Sequence, residues 1–160
     1  MNKDLVIVAA NTGARQMELL TLEWNQVNFE DRYLILDNRS HITKGKKIRT
    51  IPANEKVIEV LQKRWSSRKE TINNVFTYKG LPIKQDFLTH KFKKYVIRSG
   101  AHPKLNFHSL RHSFASWLVQ ANVSLYVVSK LLGHADIKTT EIYSHLSRED
   151  LRDATNKIEY

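Results

Sequence analysis

Apolar positions recur at helical spacing near both ends of the chain and collect into short β-branched and aromatic runs between residues 27 and 51. Asp4 precedes Leu5, Val6, Val8 and Ala9, the pattern of a capped first helix, and Thr12-Gly13 interrupts it. Residues 14–22 predict a second helix with Arg15 in its first turn, beside a glycine that lets a ligand approach closely. Segments 27–29, 33–37 and 48–51 follow, separated by turn signals at Glu30-Asp31 and Lys44-Gly45. They predict a small antiparallel sheet with Lys44 at the tip of its second hairpin.

Helical periodicity then returns. Val57, Val60, Leu61 and Trp65 fall on one face, and so do Phe87, Leu88, Lys91, Phe92, Tyr95 and Val96, which end at Ser99-Gly100. A third set runs through Leu110, Phe114, Trp117, Leu118 and Ala121, with Ser109 as its candidate cap. Ser124 opens a further short helix that Gly133 closes. The predicted fold class is α+β, a mostly helical domain with a small three-stranded antiparallel sheet.

At 160 residues the chain is read as one domain able to bury a core without staples. It contains no cysteine, which excludes disulfides and thiolate metal sites and fits a reducing cytosol. The apolar run over residues 5–10 is too short to span a bilayer, so a soluble cytoplasmic protein with no membrane partner is expected. Lys and Arg total 26 against 16 acids, a net charge of +10 that favours a polyanionic partner, most simply nucleic acid. The excess is regional. Residues 39–49 carry Arg39, Lys44, Lys46, Lys47 and Arg49 with no acid, and residues 84–104 carry six cations against Asp86 alone.

Candidate chemistry concentrates in a few motifs. Taken singly each has a plain alternative: Arg15 could pair with Glu18, His134 could face a helix dipole, and Tyr143 could simply pack. His108 and His112 have the spacing of a zinc helix, but serine follows His108 where a zinc protease needs glutamate, and no acidic third ligand follows nearby. The conjunction is more specific: Thr12-Gly13-Ala14-Arg15-Gln16-Met17-Glu18, a lysine in a hairpin, His108-Ser109-Leu110-Arg111-His112, Leu131-Leu132-Gly133-His134, and Tyr143 nine residues later. In that order these motifs resemble the catalytic domain of the tyrosine recombinases, the phage-integrase family, from about residue 5 to about residue 148.

The chemistry suits that resemblance. Opening a phosphodiester without a metal requires fixed cations against the charge that grows on the non-bridging oxygens, and planar, bidentate guanidinium does this well. Arg15 and Arg111 are the expected clamp. The resemblance implies that Tyr143 attacks phosphorus to form a covalent 3′-phosphotyrosine, which conserves the bond for rejoining. It also implies that Lys44 protonates the departing 5′-oxygen, that His108 assists proton transfer or orients the phosphate, and that His134 bonds a phosphate oxygen. It further implies that Glu18 braces one of the arginines. Lys46, Lys47, Arg49, Lys91, Lys93 and Lys94 are expected on the DNA backbone, setting affinity and register rather than sequence choice.

No metal, nucleotide or other cofactor is implied. The implied partners are double-stranded DNA, further copies of the chain in a tetramer on that DNA, and accessory DNA-bending proteins, with the protein at the nucleoid. Family members carry an N-terminal helical domain that closes on DNA; here the whole of residues 1–160 reads as the catalytic domain, an excised piece or a natural truncation. The tail over residues 144–160 either docks on a neighbouring protomer or folds back on its own domain. Two rivals stand beside the recombinase: a type IB topoisomerase-like enzyme and a non-catalytic DNA-binding or assembly module.

Overall fold

The computed structural model describes residues 3–37 and 48–146. The chain divides into two compact units, Met1–Phe114 and Ala115–Tyr160.

In the first unit, α1 (Lys3–Thr12) buries Leu5, Val8 and Ala9, the stripe that the sequence spacing predicts. Asp4 sits inside its first turn and pairs with Arg64 at 3.0 Å, tying α1 to α3 (Glu55–Ser66) against which it packs. Gly13 ends α1 in the left-handed region at φ 61°, and its N–H returns to the Ala9 carbonyl at 3.0 Å. A side chain there would meet its own backbone, which is why glycine closes the turn. The second helix is shorter than expected: α2 is Gln16–Leu20, and Arg15 is its extended N-cap at φ −70°, ψ 152° rather than a residue of its first turn.

The antiparallel sheet follows the expected order, with β1 (Val27–Asn28), β2 (Tyr33–Leu36) and β3 (Arg49–Pro52). Register places Leu34 opposite Ile51 and Leu36 opposite Arg49. Leu34, Leu36 and Ile51 are fully buried and join Val57, Leu61 and Phe76 in the core. Lys44, Lys46 and Lys47 lie outside the described residues, so the expected hairpin tip does too.

Asn54 caps α3 by accepting from the Val57 N–H at 3.0 Å. Beyond it lies a hairpin that the sequence pattern did not predict, β4 (Thr77–Tyr78) paired with β5 (Leu81–Pro82). Lys79 and Gly80 both take positive φ, 52° and 78°, as a tight two-residue hairpin turn requires. Next, α4 (Gln85–Arg98) buries Leu88, Phe92 and Val96.

The helix α5 (Ser109–Gln120) contains the boundary between the units. Its start differs from expectation: Asn106 is the capping partner. The Asn106 side-chain oxygen accepts from the Ser109 N–H at 3.1 Å, and the Ser109 hydroxyl accepts from the Asn106 N–H at 3.1 Å.

In the second unit, Ser124 caps α6 (Leu125–Leu132) and Gly133 closes it in the left-handed region at φ 66°, both as expected. Two short 3₁₀ helices follow, Ile137–Thr139 and Glu141–Leu146. Val128, Leu132, Thr140 and Tyr143 are buried in this unit.

Candidate active site

The first unit assembles the arginine motifs. Thr12, Gly13 and Ala14 are buried where α1 gives way to α2, and the turn presents the Gly13 carbonyl inward. The guanidinium of Arg111, only 4% exposed, donates to that carbonyl at 2.7 Å. Arg111 is thereby fixed two residues from Arg15 along the backbone, although 98 positions separate it from Gly13 in the chain.

Glu18 organises the other side of the turn. Its carboxylate accepts from the Arg15 backbone N–H at 2.6 Å and from the Arg15 guanidinium at 3.1 Å. Arg49 grips the same carboxylate with both terminal nitrogens, one of them at 2.9 Å. Side-chain exposure separates the partners: Arg15 retains 38%, Arg49 11% and Glu18 2%. Burial alone would raise the Glu18 carboxyl, but the Arg49 charge and hydrogen bonds, joined by Arg15, hold it below the ordinary carboxylate range. Burial draws the Arg49 guanidinium below its ordinary value, and the Glu18 charge opposes that fall. The pair is ionic on both sides.

This placement bears on one expectation. Arg49 was grouped with the backbone-contacting cations, yet its guanidinium is committed to Glu18 beneath the Arg15 turn. It shares the inward face of β3 with Ile51, while Thr50 and Pro52 are exposed.

His108 lies just before α5, and its ring meets that of His112 edge to face at 4.9 Å between centroids. Desolvation comes first among the causes that lower its pKa, followed by the charges of His112, Arg111 and Arg15. A neutral imidazole beside two guanidiniums can accept or relay a proton without adding repulsion. The remaining α4 cations differ among themselves. Lys91 lies 5.5 Å over the Phe87 ring, Lys93 donates to the Pro103 carbonyl, and Lys94 is exposed.

The second unit positions His134 and Tyr143. The N–H of Gly133 bonds the Lys130 carbonyl at 3.0 Å and the N–H of His134 bonds the Ser129 carbonyl at 3.1 Å. These paired bonds close α6 and fix the His134 backbone as the chain leaves it. The His134 Nδ1 and the Thr140 hydroxyl lie 2.8 Å apart in a hydrogen bond. Thr140 is fully buried, and its carbonyl accepts from the Tyr143 N–H at 3.0 Å. Tyr143 itself is 7% exposed. Thr140 belongs to the motif string that runs from Leu131 to His145, but the sequence alone assigned it no role, because a threonine inside a short irregular segment carries no periodic signal.

Comparison with known proteins places the chain in context. The sequence profile of the phage integrase family matches residues 1–150. Tyrosine recombinase XerD of Staphylococcus haemolyticus is 35% identical over 154 residues, covering 92% of this chain and 50% of the relative. Tyrosine recombinase XerC of Pediococcus pentosaceus is 30% identical, covering 98% of this chain and 53% of the relative. The chain thus spans about half the length of these relatives. Among solved structures, the XerH site-specific recombinase bound to its difH substrate aligns at a TM-score of 0.75 with 27% identity, over 99% of this chain and 47% of that one. The catalytic domain of bacteriophage HP1 integrase aligns at 0.70 with 27% identity, over 96% of this chain and 80% of that one.

Proposed function

Because the chain belongs to the phage integrase family, we propose that it carries the DNA-cleaving and rejoining chemistry of a site-specific recombinase. The observation that carries this reading is the Arg111 bond to the Gly13 carbonyl, which holds the HxLRH arginine against the turn bearing Arg15. Two guanidiniums braced in this way suit the non-bridging oxygens of one phosphodiester, where developing negative charge needs fixed donors. Glu18 orients Arg15 from the buried side, and 38% of the Arg15 side chain stays exposed.

The chemistry then divides along the chain. The phenol oxygen of Tyr143 attacks phosphorus, the bond to the 5′-oxygen breaks, and a 3′-phosphotyrosine forms. The departing oxygen takes a proton from Lys44, and neutral His108 serves the proton transfers around the phosphate. His134 donates to a phosphate oxygen. Attack by a 5′-hydroxyl on the phosphotyrosine reverses these steps and joins the strand. No step calls on a metal ion or an organic cofactor. The XerH relative bound to its difH substrate supports duplex DNA as the substrate here. Lys91, Lys93 and Lys94, with Lys46 and Lys47, supply backbone contacts, and copies of the chain assemble as a tetramer on the DNA at the nucleoid.

Covalent trapping tests the reading. Nicked suicide duplexes of randomised sequence, incubated with the protein in EDTA and resolved under denaturing conditions, are expected to give a slow-migrating adduct that Tyr143→Phe abolishes. An adduct that persists in Tyr143→Phe overturns the assignment of the nucleophile. Intact DNA binding without any adduct overturns the recombinase reading itself.

A further inference from the structure

We infer that Thr140 is a positioning residue that sets the tautomer of His134: its hydroxyl donates to Nδ1 and so leaves the proton on Nε2. The inference deepens the recombinase reading and rests on it for the role of His134 at the phosphate.

The geometry begins with the backbone on both sides. His134 is held at the close of α6 by its N–H bond to Ser129, and the left-handed Gly133 turns the chain sharply just before it. Thr140 ends the first 3₁₀ helix with its N–H on the Ile137 carbonyl at 2.6 Å, and it accepts from Tyr143 through its own carbonyl at 3.0 Å. Its side chain therefore starts from a fixed backbone and reaches His134 Nδ1 at 2.8 Å.

Direction follows from what each group can do. A hydroxyl both donates and accepts, while a neutral imidazole nitrogen does one or the other. Thr140 has no solvent exposure, and among the described residues His134 Nδ1 is the one hydrogen-bond partner of its hydroxyl. Were Nδ1 protonated and donating to the hydroxyl, the hydroxyl hydrogen would be buried without an acceptor. An unpaired buried donor is costly enough to disfavour that arrangement by a factor of about ten or more. With the proton on Nε2, the hydroxyl donates to the Nδ1 lone pair and both groups are satisfied.

The chemical consequence is specific. A phosphate oxygen is an acceptor, so a neutral His134 helps only through an N–H. With Nδ1 bonded to the Thr140 hydroxyl, the proton sits on Nε2, on the far side of the ring. The other tautomer would aim a lone pair at a phosphate oxygen, where two acceptors repel. Thr140 also links this choice to the nucleophile, since the same residue bonds the backbone of Tyr143.

The test reads the tautomer directly. The intact protein, labelled with 15N-histidine, is examined at a pH well above the histidine range. His134 is expected to show an unprotonated Nδ1 and a protonated Nε2. Thr140→Val, which replaces the hydroxyl with a methyl of similar shape, is expected to mix the tautomers and slow phosphotyrosine formation by about tenfold, with DNA affinity unchanged. Thr140→Ser is expected to restore both. A protonated Nδ1 in the parent protein overturns the inference, and so does a Val variant that keeps the parent tautomer and rate. The spectrum needs no DNA, so a protein with the expected tautomer that forms no adduct sinks the recombinase reading and leaves the Thr140 assignment standing.

Discussion

Arg49 holds Glu18 through both oxygens of its carboxylate, and Glu18 in turn holds Arg15 by backbone and guanidinium. A strand residue thus fixes the pose of a residue at a helix start 34 positions earlier, through one buried acid.

Removing one partner of this buried pair strands the other. Arg49→Met is expected to destabilise the protein by ~3–5 kcal/mol in urea unfolding, since Glu18 would keep its burial and lose its main counter-charge. Unchanged unfolding would mean the pair is not closed in solution. Acid reads the same contact: the Glu18 pKa is lower in the folded than in the unfolded chain. Its stabilisation is full above the ordinary carboxylate range and disappears as pH falls through the folded-state value. The acid midpoint of unfolding is expected to rise in Glu18→Gln, which lacks the group that opposes protonation.

Proton NMR of the His108 ring is expected to give a midpoint below that of an ordinary histidine. Burial is the first cause and the His112 charge the next, so His112→Gln is expected to raise the midpoint. A fall, or no movement, would mean that the two rings do not face each other as described.

Arg111→Lys preserves charge and loses the fork. The buried Gly13 carbonyl is left without its 2.7 Å guanidinium donor, which costs about 1–3 kcal/mol of stability. Cleavage in the trapping assay is expected to fall ~10²–10³-fold, as when one fixed donor at a developing oxyanion is deleted. Near-normal cleavage by the lysine variant would show that bidentate geometry is not what this position supplies.

Titration with duplex DNA at several salt concentrations separates the cations. Lys94→Ala, on the exposed face of α4, is expected to weaken binding alike for all sequences and to lower the log–log salt slope by about one. Arg49→Met is expected to leave that slope where it was, because its charge is already spent on Glu18. Equal slopes for the two variants would restore Arg49 to the DNA-contacting group.

Much of this arrangement was readable before any coordinates, for identifiable reasons. The helix stripes at Leu5/Val8/Ala9 and Leu88/Phe92/Val96 bury as their spacing demands, and Ser124 and Gly133 bracket α6 as cap chemistry demands. The β4–β5 hairpin was missed because each strand has two residues and its turn is Lys79-Gly80, without the Asn-Gly or Asp-Gly signature. The Arg49–Glu18 pair is hidden when charge along residues 39–49 is counted as though all of it faced water. Alternation held the better signal, since a residue two before buried Ile51 points to the same face. The role of Thr140 was hidden for a different reason. Gly133 announces the turn, but which side chain the two 3₁₀ helices bring back to His134 leaves no pattern in residue types.

The Arg111–Gly13 bond also fixes an order of events at the ribosome. Its two ends are 98 positions apart, and synthesis delivers the second roughly 5–20 s after the first. Until then the Arg15 turn is held by its neighbours and by the Glu18–Arg49 pair alone, and closing so long a loop carries an entropic cost that local helices do not bear. A nascent or prematurely terminated chain that ends short of Arg111 therefore holds the Arg15 turn without the buried guanidinium that bonds it. This contact completes late in the life of the polypeptide.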